Sequence, residues 1–120
     1  MTSQFDASVE LPVSASEAFA WHARPGALER LVPPWDDVQV IGRTGGIDDG
    51  DRVELGIPVG PLHLRWLAEH RDRVEGKSFT DVQLRGPFHR WVHTHGFEAR
   101  GVDRCLLSDR IEYALPLGPL

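Results

Sequence analysis

Apolar and polar residues alternate along most of the chain, and this alternation predicts a domain built mainly of β-strands. Near the start, Phe5, Ala7, Val9 and Leu11 alternate with polar residues, which is the period of a half-buried strand over residues 4–11. The segment 61–74 alternates as regularly, and one face of the strand predicted there carries Leu62, Leu64, Trp66, Ala68 and His70. One face of each strand is expected to pack against the hydrophobic core.

Glycine, proline and aspartate residues mark the turns between further strands. The turn EGK at 75–77 predicts a hairpin, Gly86-Pro87 separates the next two strands, and residues 100–103 turn the chain into the last one. Short hairpin connections favour antiparallel neighbours, so these strands should form a meander. The strands predicted after the helical region span 36–42, 52–60, 61–74, 78–84, 90–98 and 104–117.

Two short helices are predicted between the first strand and the others. Ser14 and Glu17 have the spacing of a capping box, so a helix should begin there and run to about His22. Pro25 ends that helix and can occupy the first turn of a second one over 25–31, which the following prolines end. The predicted order is therefore one strand, two helices and six strands.

Length, composition and charge restrict the class of protein. At 120 residues the chain has room for one hydrophobic core, and 41% apolar with 26% charged residues is typical of a folded globular domain. A net charge of −5, without a run of basic residues, argues against a nucleic-acid partner. The sequence shows no signal peptide and no apolar stretch near the roughly 20 residues that cross a bilayer, so we expect a cytoplasmic protein without membrane insertion.

The order of elements and five long motifs resemble one known family. The motifs are FAWHARPGALERLVPPW (19–35), GGIDDGDRVEL (45–55), GPLHLRWLAEH (60–70), FTDVQLRGPFHRWVHTHGFE (79–98) and LLSDRIEYALPLG (106–118). They are similar to the SRPBCC ligand-binding domain of the START and Bet v1 type, in the bacterial branch that occurs alone or fused to an NAD-dependent epimerase-like domain. The resemblance covers nearly the whole chain.

This resemblance implies an α+β helix-grip fold and a single domain over 1–120. In that fold a curved antiparallel sheet of about seven strands, with two short helices after the first, wraps around a long C-terminal helix. Trp21, His22 and Arg24 would then lie at one mouth of an internal cavity. The fused members imply an epimerase-like partner as one candidate interaction, although the chain itself has no G-x-G-x-x-G motif for a dinucleotide.

The segment RWVHTHGFE at 90–98 carries two histidines on one face of a strand. His93 and His95 share that face with Trp91 and Phe97, because strand side chains alternate. In the resembled fold this strand lines the cavity, and aromatic rings belong in a core, so we expect both imidazoles to point inward. Two alternatives stay open: the histidines lie on the solvent side, or they form half of a metal site.

A metal site would need ligands beyond this pair. Asp81, Asp109 or His70 on other strands are candidates for a third ligand, but the sequence does not fix their positions. The pattern of strand 78–84 does not even decide whether Asp81 faces inward. Cys105 is the only cysteine, so a cysteine-based zinc site is excluded. We therefore predict no cofactor, no metal and no stoichiometric zinc.

Asp109 lies on an otherwise apolar strand face and needs a partner if it is buried. Consecutive strands of a meander lie side by side, so a histidine from 90–98 would supply that partner. The alternative is a rim position near Arg104 or Arg110. Tyr113, further along the same strand, is either a ligand contact or a core ring with one hydrogen bond.

We interpret the chain as a binding module for a small, largely apolar molecule, with aromatic walls and a few polar groups that orient the ligand. One alternative is an aromatase/cyclase-like or hydrolase-like enzyme in which a His–Asp pair acts as general base. Another is a regulatory module that acts with the epimerase-like partner. No individual catalytic residue is assigned. The predicted ligand-binding residues are Trp66, His70, Trp91, His93, His95, Phe97, Asp109 and Tyr113.

The sequence ends at Leu120, directly after a strand and before the C-terminal helix that the resemblance implies. Without that helix an apolar face of the sheet would stay uncovered, and uncovered patches beyond a few hundred Å² are unusual for a monomer. We therefore expect this chain either to self-associate, with a homodimer through the uncovered face as the simplest form, or to be marginally stable.

Overall fold

The described part of the computed structural model, residues 2–24, 27 and 37–116, contains one assigned helix and seven strands. These elements are β1 (Ser3–Leu11), α1 (Ala15–His22), β2 (Gln39–Thr44), β3 (Arg52–Val59), β4 (Leu62–Val74), β5 (Ser78–Arg85), β6 (Arg90–Ala99) and β7 (Cys105–Ala114). The strands form a single antiparallel sheet in the order β1-β7-β6-β5-β4-β3-β2. The predicted α+β class and the meander are confirmed.

Most predicted boundaries agree with the structure to within a few residues. The largest shifts are of three residues, at the start of β2, which begins at Gln39, and at the end of β7, which ends at Ala114. Strand β2 also contains a β-bulge between Val40 and Gly42. The second helix predicted over 25–31 lies outside the described residues, except for Ala27, which is helical and buried.

Helix α1 begins where the capping signal predicts and packs on β6 and β7. The side-chain oxygen of Ser14 accepts a hydrogen bond of 3.1 Å from the backbone N–H of Glu17, which satisfies one of the free donors at the helix start. Ala18 and Phe19 face the sheet and are buried. No helix in the described ranges is long and apolar enough to cross a membrane.

Three phenylalanine rings form the centre of the core beneath α1. Phe19 contacts Phe79 and Phe97 edge-on, with ring centroids 6.1 and 5.3 Å apart, and Phe79 and Phe97 stack at 6.0 Å. Such aromatic pairs add to the free energy gained by burial alone. Cys105 is fully buried beside them, as expected of a small apolar side chain.

The loop over 45–51 closes the same core from the other side. The carboxylate of Asp51 accepts hydrogen bonds of 2.7 and 3.1 Å from the backbone N–H groups of Gly46 and Asp48. This arrangement turns Ile47 into the core, where it is buried with the three phenylalanines. The loop is also tied to β4, because the backbone groups of His70 bond to Gly50 and Asp51 at 2.8 Å each.

Strand β1 forms one edge of the sheet, and most of its residues are exposed. Ala7 pairs with Asp109 of β7, so Phe5 and Val9 lie on the same face of the sheet as Asp109. Phe5 is 55% exposed and Val9 is 52% exposed. Two apolar side chains are therefore exposed on this face, and self-association through an uncovered apolar face stays a prediction.

Replacing Phe19 by alanine should lower the free energy of unfolding by about 3–5 kcal/mol, because the buried ring leaves a cavity between its two aromatic neighbours. Chemical denaturation followed by circular dichroism measures this loss. Phe5→Ala is the matched control and should change the stability by about 0.5 kcal/mol or less, since its ring is mostly exposed. Equal losses for the two variants would contradict the packing of α1 on the sheet.

Candidate functional site

A cavity of about 620 Å³ lies between the sheet, the end of α1 and the loop 45–51. His22 and Arg24 at the end of α1 line it, whereas Trp21, which the resemblance grouped with them, does not. One part of its wall is apolar and aromatic, with Trp66 and Trp91 as the largest side chains. Another part is polar and is formed by side chains of β4, β5 and β6.

We call five residues at and directly behind the polar wall the polar cluster: His70, Asp81, His93, His95 and Asp109. The strand register brings them together. Asp81 of β5 pairs with His70 of β4 on one side and with His93 of β6 on the other, and His95 pairs with Asp109 of β7. Directly paired residues of antiparallel strands point to the same face, so all five side chains lie on the cavity side of the sheet.

Imidazoles and carboxylates alternate through the polar cluster. Nε2 of His95 lies 2.8 Å from Oδ2 of Asp81, and Nε2 of His93 lies 2.8 Å from Oδ1 of Asp109. Nδ1 of His95 also lies 3.5 Å from Oδ1 of Asp109, which links the two pairs. The rings of His93 and His95 stack with centroids 3.9 Å apart. A histidine from 90–98 therefore supplies the partner that Asp109 needs.

His70 has an oxygen acceptor at each ring nitrogen. Nε2 lies 2.8 Å from Oδ1 of Asp81, and Nδ1 lies 3.3 Å from the backbone carbonyl oxygen of Asp51. The contact with Asp81 is an ion pair without good hydrogen-bond alignment, so Oδ1 is a buried oxygen that has no well-aligned donor among the described residues. Burial lowers the pKa of His70, but the charge and proximity of Asp81 outweigh burial, so the pKa is raised and the imidazolium is favoured.

The pKa shifts of Asp81 and His93 favour a charged carboxylate and a neutral imidazole. Burial raises the pKa of the Asp81 carboxyl, but contacts with His70 and His95 outweigh it, and the pKa lies well below its usual range. Burial and the neighbouring charge of His95 lower the pKa of His93 despite its bond to Asp109. Near neutral pH, Asp81 is therefore a carboxylate and His93 a neutral imidazole that is positioned by a carboxylate.

An aromatic group adjoins the polar cluster along β6. The rings of Trp66 and Trp91 meet edge-on at 4.9 Å, and Phe88 packs on both at 5.6 and 4.7 Å. Tyr113 contacts this group at 6.0 Å from Phe88 and 6.4 Å from Trp91. The cavity wall thus changes from flat aromatic surface to titratable groups within one or two residues of β6.

Residues 11–120 match the model of the family described as polyketide cyclase / dehydrase and lipid transport. The chain belongs to this family. It is an SRPBCC domain of the START and Bet v1 superfamily, as the resemblance of its motifs indicated. No curated protein matches the chain at a significant level.

Solved structures support the helix-grip fold of this polyketide cyclase family member. Norcoclaurine synthase from Thalictrum flavum, in complex with dopamine and hydroxybenzaldehyde, superposes with a TM-score of 0.75 at 18% identity over 96% of this chain and 70% of that one. Zhui aromatase/cyclase from Streptomyces sp. R1128 gives a TM-score of 0.77 at 14% identity over 99% and 72%. A START superfamily protein from Mycobacterium smegmatis gives 0.72 at 14% over 98% and 80%. At these identities the likeness establishes the fold alone.

The structure brings most of the predicted site residues of this domain together. Five of them line the cavity: Trp66, His70, Trp91, His93 and His95. Asp109 lies behind the wall and holds His93, and Tyr113 supports Trp91. Phe97 differs from the prediction, because α1 covers that end of β6 and places the ring in the core, 4% exposed, rather than in the cavity wall.

Asp81 is the site residue that the sequence analysis failed to assign. It lines the cavity and bridges His70 and His95, so the inward face of β5 is the one that carries Asp81. A signal for it exists in the sequence. Pro87 marks the turn between β5 and β6, and Asp81 and His93 are equally distant from that turn, so a symmetric hairpin pairs them.

Replacing Asp81 by asparagine should lower the pKa of His70 below its ordinary value of 6.5, because burial remains while the carboxylate is lost. NMR titration of the imidazole resonances measures the change, and in the wild-type protein His70 should titrate above His93. Asp103→Asn, in the exposed turn before β7, is the control and should leave the pKa of His70 unchanged. A pKa of His70 that is the same in both variants would contradict the ion pair.

The same pair predicts the pH dependence of stability. The folded-state pKa of His70 lies above the unfolded value of 6.5, so its contribution to the free energy of unfolding is complete below pH 6.5. This contribution is lost as the pH rises through the folded-state pKa. His93 has the opposite sign: its contribution is complete above pH 6.5 and is lost as the pH falls through its lowered pKa. Asp81→Asn should therefore remove the loss on the alkaline side.

Proposed function

We propose that the domain binds a small, largely apolar molecule that carries one or more polar groups. The observation that supports this proposal is the two-part wall of the cavity, aromatic at Trp66 and Trp91 and titratable at the polar cluster. A cavity of about 620 Å³ lies within the range of roughly 300–1,000 Å³ that is usual for small-molecule sites.

The two parts of the wall have separate roles in this proposal. The indole rings provide flat apolar area, and its removal from water supplies most of the binding free energy. The polar cluster provides orientation, because a hydroxyl of the ligand can donate to Nδ1 of His93, whose Nε2 is already held by Asp109. A ligand without a polar group would leave part of this wall without solvent and without a partner.

The proposal is tested with a probe that has both features, 2-naphthol, in a calorimetric titration. Ala68 lies in the cavity wall and is 7% exposed, so Ala68→Trp should fill part of the cavity and weaken binding by about 10-fold or more. Arg65→Trp adds the same ring on the outer face of the same strand and should leave the affinity unchanged.

Two results would contradict this function. One is the absence of 2-naphthol binding by the wild-type domain together with a mass-spectrometric finding that protein isolated from its native host carries no small molecule. The other is equal binding by the two tryptophan variants, since a ligand on the outer surface would not respond to the volume of the cavity.

General acid–base catalysis is the second candidate function, favoured by the His93–Asp109 pair. The carboxylate holds Nε2 at 2.8 Å, and the lowered pKa of His93 keeps the imidazole neutral and able to accept a proton near pH 7. The family description names polyketide cyclases, whose name implies substrates with acidic C–H bonds beside carbonyl groups. In the proposed step His93 takes that proton, and the electrons of the broken C–H bond form an enolate.

Exchange of the methylene protons of benzoylacetone with D₂O, followed by NMR, measures this proton transfer directly. The domain should accelerate exchange, and His93→Gln should remove about 100-fold or more of the acceleration, because a positioned base typically contributes 10²–10⁴-fold. His63→Gln, an exposed residue on the outer face of β4, is the control. Exchange that is no faster than with free imidazole, or that is equal in the two variants, would exclude this role of His93.

A further inference from the structure

Three potential metal ligands converge on the wall of the cavity. One carboxylate oxygen of Asp81 and one ring nitrogen each of His93 and His95 all lie within 4.8 Å of one another. The three side chains are partly buried and line the same cavity. We propose that Asp81, His93 and His95 bind one divalent transition-metal ion at this wall.

The distances suit a metal after small side-chain rotations. With bonds of about 2.0–2.2 Å, neighbouring donors of a tetrahedral site lie roughly 3.4 Å apart. The pair formed by Nε2 of His95 and Oδ2 of Asp81 is closer than this, at 2.8 Å, and has to open by a fraction of an ångström. The other separations reach no more than 4.8 Å, so any change they need is at most about 1.4 Å. These changes require no movement of the strands.

The donor set selects the class of metal. Two imidazole nitrogens and one carboxylate oxygen favour Zn²⁺, Co²⁺ or Fe²⁺ over Mg²⁺ and Ca²⁺, which prefer oxygen ligands alone. Three protein ligands leave at least one coordination position free. Because the ligands line the cavity, that position faces the space in which an organic ligand would lie.

Residues behind the three ligands already have the arrangement that usually supports metal sites. Ligating histidines commonly give their second N–H to a carboxylate, and ligating carboxylates are themselves held. Asp109 holds Nε2 of His93 at 2.8 Å, and His70 approaches the second oxygen of Asp81 at 2.8 Å. His70 and Asp109 would therefore act as positioning residues, each through a ligand that it contacts.

Metal binding has to displace a proton. A hydrogen bond between Nε2 of His95 and a carboxylate oxygen of Asp81 needs one proton, and a metal ion that binds both atoms takes its place. The proton leaves to solvent, so the metal affinity falls as the pH decreases. An ion on His93 also fills the lone pair needed for proton transfer, so benzoylacetone exchange belongs to the metal-free form.

This inference does not depend on the proposed organic ligand. The expectation of a metal-free protein rested on a sequence that fixed two ligands, whereas the pairing of β5 with β6 supplies a third. Metal binding is measurable without 2-naphthol or benzoylacetone, so failure of one proposal leaves the other open to its own test.

The experiment uses the full chain without a histidine tag, stripped with EDTA and titrated with Co²⁺ at pH 7.5. The visible absorption of bound Co²⁺ should saturate at one equivalent, and Zn²⁺ should displace it. Asp81→Asn and His95→Gln should each weaken binding by about 100-fold or more, since loss of even a residue behind the ligands costs 10–100-fold. His63→Gln, exposed on the outer face of β4, should bind Co²⁺ as the wild type does.

Circular dichroism and thermal unfolding establish that each variant is folded, and binding should also raise the Tm of the wild type in proportion to the logarithm of the Co²⁺ concentration. If Asp81→Asn does not fold, His93→Gln takes its place in the comparison. The proposal is overturned if the wild type forms no one-to-one Co²⁺ complex. It is equally overturned if the folded ligand variants bind Co²⁺ as tightly as His63→Gln.

Discussion

The pairing of two partly buried carboxylates with three imidazoles is the interaction on which the rest of the site depends. A carboxylate in a sheet of this kind is costly unless charge and hydrogen bonds compensate for lost water. Asp81 receives that compensation from β4 and β6, and Asp109 receives it from β6. The contacts hold only in one register of these strands, because a slip of one residue would turn the carboxylates to the opposite face. The contacts of the polar cluster therefore form only when these strands pair in this register.

Much of the fold followed from local pattern, whereas the site depended on pairing between strands. Alternation in β1 and β4 and the cap at Ser14 are local signals, and the structure agrees with them. A histidine partner for Asp109 was one of two alternatives left open by the sequence, and the structure shows this one. The inward face of β5 did not follow from its pattern, since both faces mix polar and apolar residues. Only the turn at Pro87 relates Asp81 to His93.

Phe97 shows a second limit of local reasoning. It shares a strand face with Trp91, His93 and His95, and alternation therefore assigns all four to one environment. In the structure α1 crosses the end of β6 and covers Phe97, whereas the wall at Trp91 stays open to the cavity. The division of one strand face into core and site is set by where a distant helix packs, and the spacing of residues within the strand carries no information about that.

Both proposals for the site depend on the protons of the polar cluster. A ligand would hydrogen-bond to its imidazoles, and a metal ion would displace a proton from them. His70 is held between Asp81 and the backbone of the loop 45–51, so its imidazolium form is favoured by groups on two sides. His93 is held on one side, by Asp109, and burial keeps it neutral. A charged group held by its neighbours is suited to positioning other side chains, and a neutral imidazole at the cavity is suited to exchanging a proton with a ligand. The asymmetry between these two histidines arises from their places in the sheet, since the loop 45–51 contacts His70 on β4, whereas Asp109 of β7 contacts His93 on β6. Any proton transfer at the wall is therefore expected to pass through His93, with His70 as support.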